Sequence, residues 1–419
     1  MLISTSTRHA AAGIDDVLRT GAVRSVYQPI VELRNGRTVG YEALARGLPG
    51  SALESPVDLF GAAQDARRLA ELDRLCSTRA IEGAAGVLPI GLALFVNVEP
   101  AAVTLPVPAD PPDGIAAPMQ VVIELTERAL TDRPAELLAL VGEIRARGWR
   151  VALDDVGADP RSLALMPLLR PDVVKLDLAL VQQRPTLDIA EIVAAVSAYA
   201  EHSGAVVLAE GIETTEHLAV ARSMGARWGQ GWFFGRPGPL PGTPVAPGPL
   251  PPPVGPAAAS RDRFQRSPFE AATAGCEVLQ STKPLLIQMS KLLEHRALAL
   301  GSTAVVLSTF QHARYFTALT AIRYERLSAS LALVAAIGED MPDVPAVGVR
   351  GGRLSADDPV RQEWDIAVVS PHLTAALVAR DLGDTGPDAQ RRFDYVLTYD
   401  RARATAVARA LMARLLPDS

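Results

Sequence analysis

Apolar residues in the first half of the chain recur in short runs that read as strands: VYQPIVEL, VGYEALAR, ALFVNVEP, VVIELTE, RVALDDVG, DVVKLD, AVVLAEG and ARWGQGWFF. Between them lie segments with the helical period, among them Pro134 to Arg147 and Asp188 to His202. This alternation predicts a mostly parallel sheet with crossover helices. Eight runs within about 210 residues suit a closed (β/α)8 barrel near the lower size limit of that fold. A doubly wound open sheet is the alternative, weakened because no glycine fingerprint follows the first strand.

The alternation stops at PGPLPGTPVAPGPLPPPVGP, Pro237 to Pro256, where proline removes backbone donors and fixes φ. A semi-extended linker is expected there. Beyond it, a helical run from Lys283 to Leu300 precedes the apolar strand Ala304 to Leu307 and a helical stretch from Phe316 to Leu327. Leu331 to Ile337, Asp365 to Ser370 and Phe393 to Tyr399 read as strands, and Arg401 to about Leu416 as a closing helix. The expected organisation is a tail (1–19), a barrel (20–237), a proline-rich linker (238–259) and a second, smaller α/β domain (260–419). The second domain has no glycine-rich phosphate loop, metal-spaced His or Cys set, or nucleophile elbow.

Length and composition fit two folded domains: 419 residues, 48% hydrophobic and 21% charged. A net charge of −6 offers no basic field, so no long nucleic acid is expected as a partner. Cys76 and Cys276 lie far apart, which excludes a disulfide framework and thiol-based chemistry. Met1 to Ala12 is polar, and no window approaches about 18 uninterrupted apolar residues. A soluble cytoplasmic protein without membrane insertion is expected.

Polar residues recur where the strands end: Glu42, Asn97, Glu124, the pair Asp154 and Asp155, Lys175, Glu210 and Gln230. In a parallel barrel these ends share one face, so residues distant in sequence converge there. One such carboxylate is ordinarily a helix cap or a solvated loop residue; several crowded into one mouth repel one another unless cations intervene. Hard oxygen donors suit Mg²⁺ or Mn²⁺, and a pair of such ions is a standard device for in-line attack on a phosphodiester.

The segment Tyr41-Glu42-Ala43-Leu44-Ala45-Arg46 resembles the signature of the EAL phosphodiesterases. The resemblance extends through Tyr27-Gln28-Pro29-Ile30, Asn97 in FVNVEP, Glu124-Leu125-Thr126-Glu127, Asp154-Asp155, Lys175-Leu176-Asp177, Ala209-Glu210-Gly211-Ile212-Glu213 and Gln230-Gly231-Trp232. It implies metal-dependent hydrolysis of cyclic di-GMP to linear pGpG. By resemblance, Glu42, Asn97, Glu124 and Asp154 hold one cation, with Asp154, Asp155 and Glu210 around the second. Lys175 orients the attacking water; its plainer reading is an exposed rim lysine. Gln28, Leu44 and Arg46 bind the ligand, Glu213 and Gln230 support the site, and Ca²⁺ is expected to inhibit. Glu127 is implied to anchor the loop after the Asp-Asp strand, though its spacing also suits a helix cap. A homodimer through the barrel is implied.

One segment departs from the family. Where similar enzymes usually carry Asp-Asp-Phe-Gly, a small residue, Gly, an aromatic and two serines, this chain reads Asp154-Asp155-Val156-Gly157-Ala158-Asp159-Pro160-Arg161-Ser162-Leu163. A flexible glycine has become Asp159, followed by a stiff proline. The ligand set points to an enzyme; the altered loop points to a receptor that holds cyclic di-GMP without cutting it. The second domain resembles the DICT sensory domains through LLIQMSKLLEHRAL, LTAIRYERLSA, WDIAVVS and FDYVLTYD, which implies a regulator with its own ligand or signalling partner. A structural or dimerisation role is the alternative reading of that domain.

Overall fold

The computed structural model describes residues 13–99, 119–125, 134–159, 161–241, 248 and 266–415. Most of the expected linker, like Glu127, lies outside these.

Eight strands close a barrel in sequence order: β1 (Val23–Glu32), β2 (Thr38–Gly47), β3 (Ala93–Val98), β4 (Gln120–Leu125), β5 (Arg150–Val156), β6 (Val173–Leu176), β7 (Val206–Ala209) and β8 (Trp228–Gln230). They coincide with the eight apolar runs. The pairs β2–β3, β3–β4, β5–β6 and β7–β8 are parallel, but β1 runs antiparallel to both β2 and β8. The cause is local. Only Leu33 to Arg37 separates β1 from β2, too short for the crossover that a parallel neighbour requires. The interior is a packed core, with Phe95 edge-on to the buried Trp228 at 6.3 Å between ring centroids.

The expected helices appear as Pro134–Ala146 and Leu187–Ser203, joined by others including α1 (Ile14–Thr20), α2 (Pro56–Asp65) and α3 (Leu69–Ala84). The first of these three falls within the stretch expected as a tail; Ile14 and Val17 pack with Leu59, Ala63 and Leu72 of the next two. Side-chain caps start several helices, as where Thr186 and Thr214 accept from the N–H groups of Ile189 and His217.

Helix α3 buries one acid without full compensation. Asp73 is 5% exposed, and its Oδ2 has no hydrogen-bond partner among the described residues. Burial, reinforced by the charge of Glu99, raises its pKa from 3.8 to about 7. Because the folded value lies above the unfolded one, Asp73 costs nothing below about pH 4, and stability is lost as pH rises towards 7. Asp73→Asn, which stays neutral, is therefore expected to stabilise the fold at pH 8 by roughly 2–4 kcal/mol and to change little at pH 3.5. Denaturant unfolding of both proteins at the two pH values checks this. Equal stability differences at both would contradict the assignment.

The C-terminal sheet has seven strands: β9 (Leu279–Thr282), β10 (Val305–His312), β11 (Leu333–Glu339), β12 (Arg350–Arg353), β13 (Glu363–Val369), β14 (Thr374–Asp381) and β15 (Arg392–Thr398). Their order is β12-β11-β10-β13-β14-β15-β9. Strands β10, β11 and β12 are parallel; the remaining pairs are antiparallel. On one face α4 (Lys283–Leu300) and α5 (Ala318–Ser328) bury Leu286, Leu293, Tyr324 and Leu327 against Val306, Ile366 and Leu377. The closing helix runs over Arg401–Met412, with Asp400 as its N-cap. No helix among the described residues is long and apolar enough to cross a membrane.

Candidate functional site

Four strands, β1, β2, β3 and β8, bring the first group of polar residues together. Gln28 on β1 faces Glu42 on β2 in register, and Ile30 pairs with Gln230 of β8. The Glu42 carboxylate accepts hydrogen bonds from Asn97 Nδ2 at 2.9 Å and Gln230 Nε2 at 2.5 Å. Gln230 Nε2 also donates to Gln28 Oε1 at 3.1 Å, and Gln28 Nε2 to the Gly235 carbonyl at 3.1 Å. The result is a continuous ladder, Gly235–Gln28–Gln230–Glu42–Asn97. Glu42, Gln28 and Gln230 are buried, so the ladder orients polar groups in a place where leaving them unbonded is expensive. Across the β3–β4 pairing, Asn97 lies opposite the fully buried Glu124.

The turn after β8 demands glycine. Gly231 has φ +152°, and a Cβ there would lie 2.1 Å from the Ile212 carbonyl oxygen. That close approach packs the Ile212 backbone against the strand end that carries Gln230, with Ile212 N–H donating to the Gln230 carbonyl at 3.0 Å.

The second group centres on β5. In a regular strand neighbouring side chains point to opposite faces, so Asp154 and Asp155 could not act together. The β5–β6 register shifts between Leu153 and Val156, and Asp155 adopts a left-handed backbone with φ +55°. Such a bulge re-aims a side chain, and aspartate tolerates the left-handed region better than most residues. Carboxylate oxygens of Asp154, Asp155 and Glu210 consequently lie within 4.8 Å of one another. Lys175 is 1% exposed, with Nζ 2.7 Å from Asp154 Oδ1; it is a buried ion-pair partner and not an exposed rim lysine.

The other expected residues fall around these groups. Leu44 and Arg46 are half-buried, and Arg46 donates to its neighbour's carbonyl, Ala45 O, at 2.7 Å. Burial, then the charge of Arg24, lower the Arg46 pKa, partly opposed by Glu42. Glu213 is exposed, and its backbone N–H donates to His217 Nδ1 at 3.3 Å.

Two features of this region were missed in the residue pattern. The bulge was signalled by two adjacent aspartates, which a regular strand cannot aim together. The second is Asp159, which accepts the Arg161 backbone N–H at 2.9 Å and the Arg161 Nε at 2.7 Å; that guanidinium lowers the pKa of Asp159. Ser162 Oγ donates to the Asp159 carbonyl at 2.8 Å. The segment that departs from the family pattern thus forms a tight cap ahead of the helix Arg161–Leu169.

Comparison with known proteins follows the same division. The EAL domain model matches residues 12–237, and the model described as a sensory domain in diguanylate cyclases and two-component systems matches residues 269–382. An uncharacterized protein of Azorhizobium caulinodans is 34% identical over 248 residues, covering 54% of this chain and 33% of that protein. The probable cyclic di-GMP phosphodiesterase PdeB of Escherichia coli K12 is 30% identical over 232 residues, covering 53% of this chain and 44% of that protein. The chain therefore spans less than half the length of these relatives. Among solved structures, a manganese and cyclic di-GMP complex of Klebsiella pneumoniae BlrP1 is 29% identical, covering 52% of this chain and 56% of that one, with a TM-score of 0.44. With the EAL match spanning more than half of its length, the chain belongs to the EAL domain family and carries a DICT sensory domain after the barrel.

Proposed function

We propose that the barrel hydrolyses cyclic di-GMP to linear pGpG with the help of divalent cations, under the influence of the C-terminal domain. The observation that carries this reading is the convergence of Asp154, Asp155 and Glu210. Three carboxylates at that spacing repel one another, and a hard cation removes the conflict. The donor set fits such ions: carboxylate oxygens and one amide oxygen, without sulfur or imidazole. Glu42, Asn97, Glu124 and Asp154 would hold one cation and Asp154, Asp155 and Glu210 another, and such ions supply an acidified water and a counter-charge for phosphodiester oxygens.

The chain's own residues would do the rest. Lys175 would donate a hydrogen bond to the attacking water while fixing the Asp154 carboxylate. The Gln28–Gln230 amide pair and Leu44 would seat the nucleotide, and Arg46 would offer a planar guanidinium to a phosphate or guanine edge. Burial of Glu42, Glu124 and Lys175 keeps bulk water from screening these charges.

The capped Asp159–Arg161 segment favours a second reading, in which the barrel binds cyclic di-GMP without cutting it. Incubation of the protein with cyclic di-GMP and Mg²⁺ or Mn²⁺, followed by chromatography, separates the two. Appearance of pGpG supports the enzyme; saturable binding without pGpG supports the receptor. A further expectation concerns Ca²⁺, whose longer and looser coordination misplaces a nucleophile. Replacing Mn²⁺ by Ca²⁺ should lower turnover by about a hundredfold or more while leaving nucleotide affinity within roughly tenfold. Calorimetric titration paired with the product assay checks both, and equal turnover in the two ions would count against the cation assignment.

A further inference from the structure

The C-terminal sheet carries a cavity of its own. Between the sheet and helices α4 and α5 lies a cleft of about 440 Å³, within the range of small-ligand sites. Besides Tyr315, its aromatic lining comprises Phe310 of β10, Tyr324 of α5, Trp364 of β13 and Phe393 of β15, and these four pair up. They meet in edge-to-face pairs, Phe310 with Tyr324 at 5.4 Å and Trp364 with Phe393 at 6.0 Å. Phe310 and Trp364 are half-buried and offer ring surface to a flat guest, whereas Tyr324 and Phe393 are each 1% exposed and back them from within the core.

Polar groups sit at distinct places in this apolar lining. Ser308 is satisfied, since the Tyr324 hydroxyl donates to its Oγ at 2.7 Å. Ser290 on α4 is not: the residue is 7% exposed, its Oγ is buried, and that oxygen has no hydrogen-bond partner among the described residues. A hydroxyl kept unbonded in an apolar lining is costly unless something else completes it. Neighbouring Asp365 does not complete it, because strand alternation turns its side chain to the other face of the sheet, where it meets Thr309.

The charges at the mouth are uneven. Glu294 is held by Arg323 at 3.0 Å. Asp388 is held by Lys283 at 2.5 Å and by Arg391 at 3.3 Å. Lys291, exposed one residue beyond Ser290, has no hydrogen bond or ion pair among the described residues. Acids of the mouth are thus already neutralised, and one ammonium group is left over.

We propose that this cleft binds a small aromatic carboxylic acid, its ring against Phe310 and Trp364, a polar ring substituent bonded to Ser290, and its carboxylate paired with Lys291. The test reads ligand binding, so neither turnover nor its absence enters it.

The probes are 8-anilinonaphthalene-1-sulfonate, a fluorescent aromatic anion, and N-phenyl-1-naphthylamine, the same ring system without the charge, each titrated into the full chain. The anionic dye should bind saturably and be displaced by indole-3-acetate. Ser290→Phe, which fills the cleft, should weaken its binding by about tenfold or more. Lys291→Glu, a change at an exposed position, should weaken the anion by about fivefold or more and leave the neutral dye within about twofold. Absence of saturable anion binding by the unaltered chain would overturn the proposal. So would undiminished binding by Ser290→Phe with an unchanged circular dichroism spectrum, or an equal response of both dyes to Lys291→Glu. Should Ser290→Phe fail to fold, the lysine variant decides alone.

Discussion

Glu42→Ala is expected to abolish production of pGpG, lowering turnover by about a thousandfold or more. Glu42 is buried, accepts from both Asn97 and Gln230, and belongs to the ligand set proposed for one cation. Alanine removes the anionic donor, leaves Asn97 Nδ2 without the carboxylate it donates to and leaves Gln230 Nε2 with Gln28 Oε1 alone, a cost of about 1–3 kcal/mol for each N–H kept dry. The barrel should survive that loss, because β2 keeps its pairing to β1 and β3 through backbone bonds alone. Glu42→Gln is the informative companion. It preserves shape and one accepting oxygen but removes the charge, so it should fold better than the alanine variant and be nearly as inactive. Chromatographic product assays with circular dichroism settle the point: a folded alanine variant with unchanged turnover would refute the role given to Glu42.

Lys175→Met should cost about a hundredfold or more in turnover, with cyclic di-GMP affinity changed less than about fivefold. Methionine matches the length and apolar stem of lysine, so the packing is largely kept and the charge is what disappears. The Asp154 carboxylate then loses a partner 2.7 Å away inside the barrel. Breaking a buried pair from one side costs about 3–5 kcal/mol, so a lower melting temperature should accompany the kinetic defect. Bound divalent cation should restore part of that stability, since it offers Asp154 another positive partner. Thermal melts with and without Mn²⁺, alongside single-turnover rates, test the pair of effects. Turnover within about threefold of the unaltered protein would remove Lys175 from the proposed mechanism.

The barrel was legible because its signals are local and repeated. Every strand is a short apolar run bounded by polar residues, and each polar strand end falls at one mouth once the sheet closes. Glu42, Asn97 and Gln230 could be anticipated as neighbours from topology alone. For the left-handed Asp155 the adjacent aspartates signal that some irregularity is needed, but nothing in the strand pattern gives a bulge its register. In the C-terminal domain, helix α4 matched its expected limits from Lys283 to Leu300. Strand β14 was missed. Its sequence TAALVARD is rich in alanine, a helix former, yet it lies between β13 and β15 with Ala375, Ala376 and Ala379 fully buried. Two strand neighbours override local preference there, and their pull is invisible along the chain. Strands β9 and β12 escaped notice because four residues at a sheet edge carry too little periodicity.

The placement of β9 has a kinetic consequence. This strand comes first in the C-terminal sheet but pairs only with β15, the last, and Gln280 reaches Asp394 across 114 residues of sequence at 2.9 Å. During synthesis from the N-terminus, β9 and the helix that follows it leave the ribosome long before their partner exists. The sheet edge beside α4 can therefore be finished only after nearly the whole domain has been made. Pairings over such separations are slow to form, so the domain should acquire this edge late, and a chain halted before Arg392 would expose both β9 and the open side of β14 as unpaired edges prone to association.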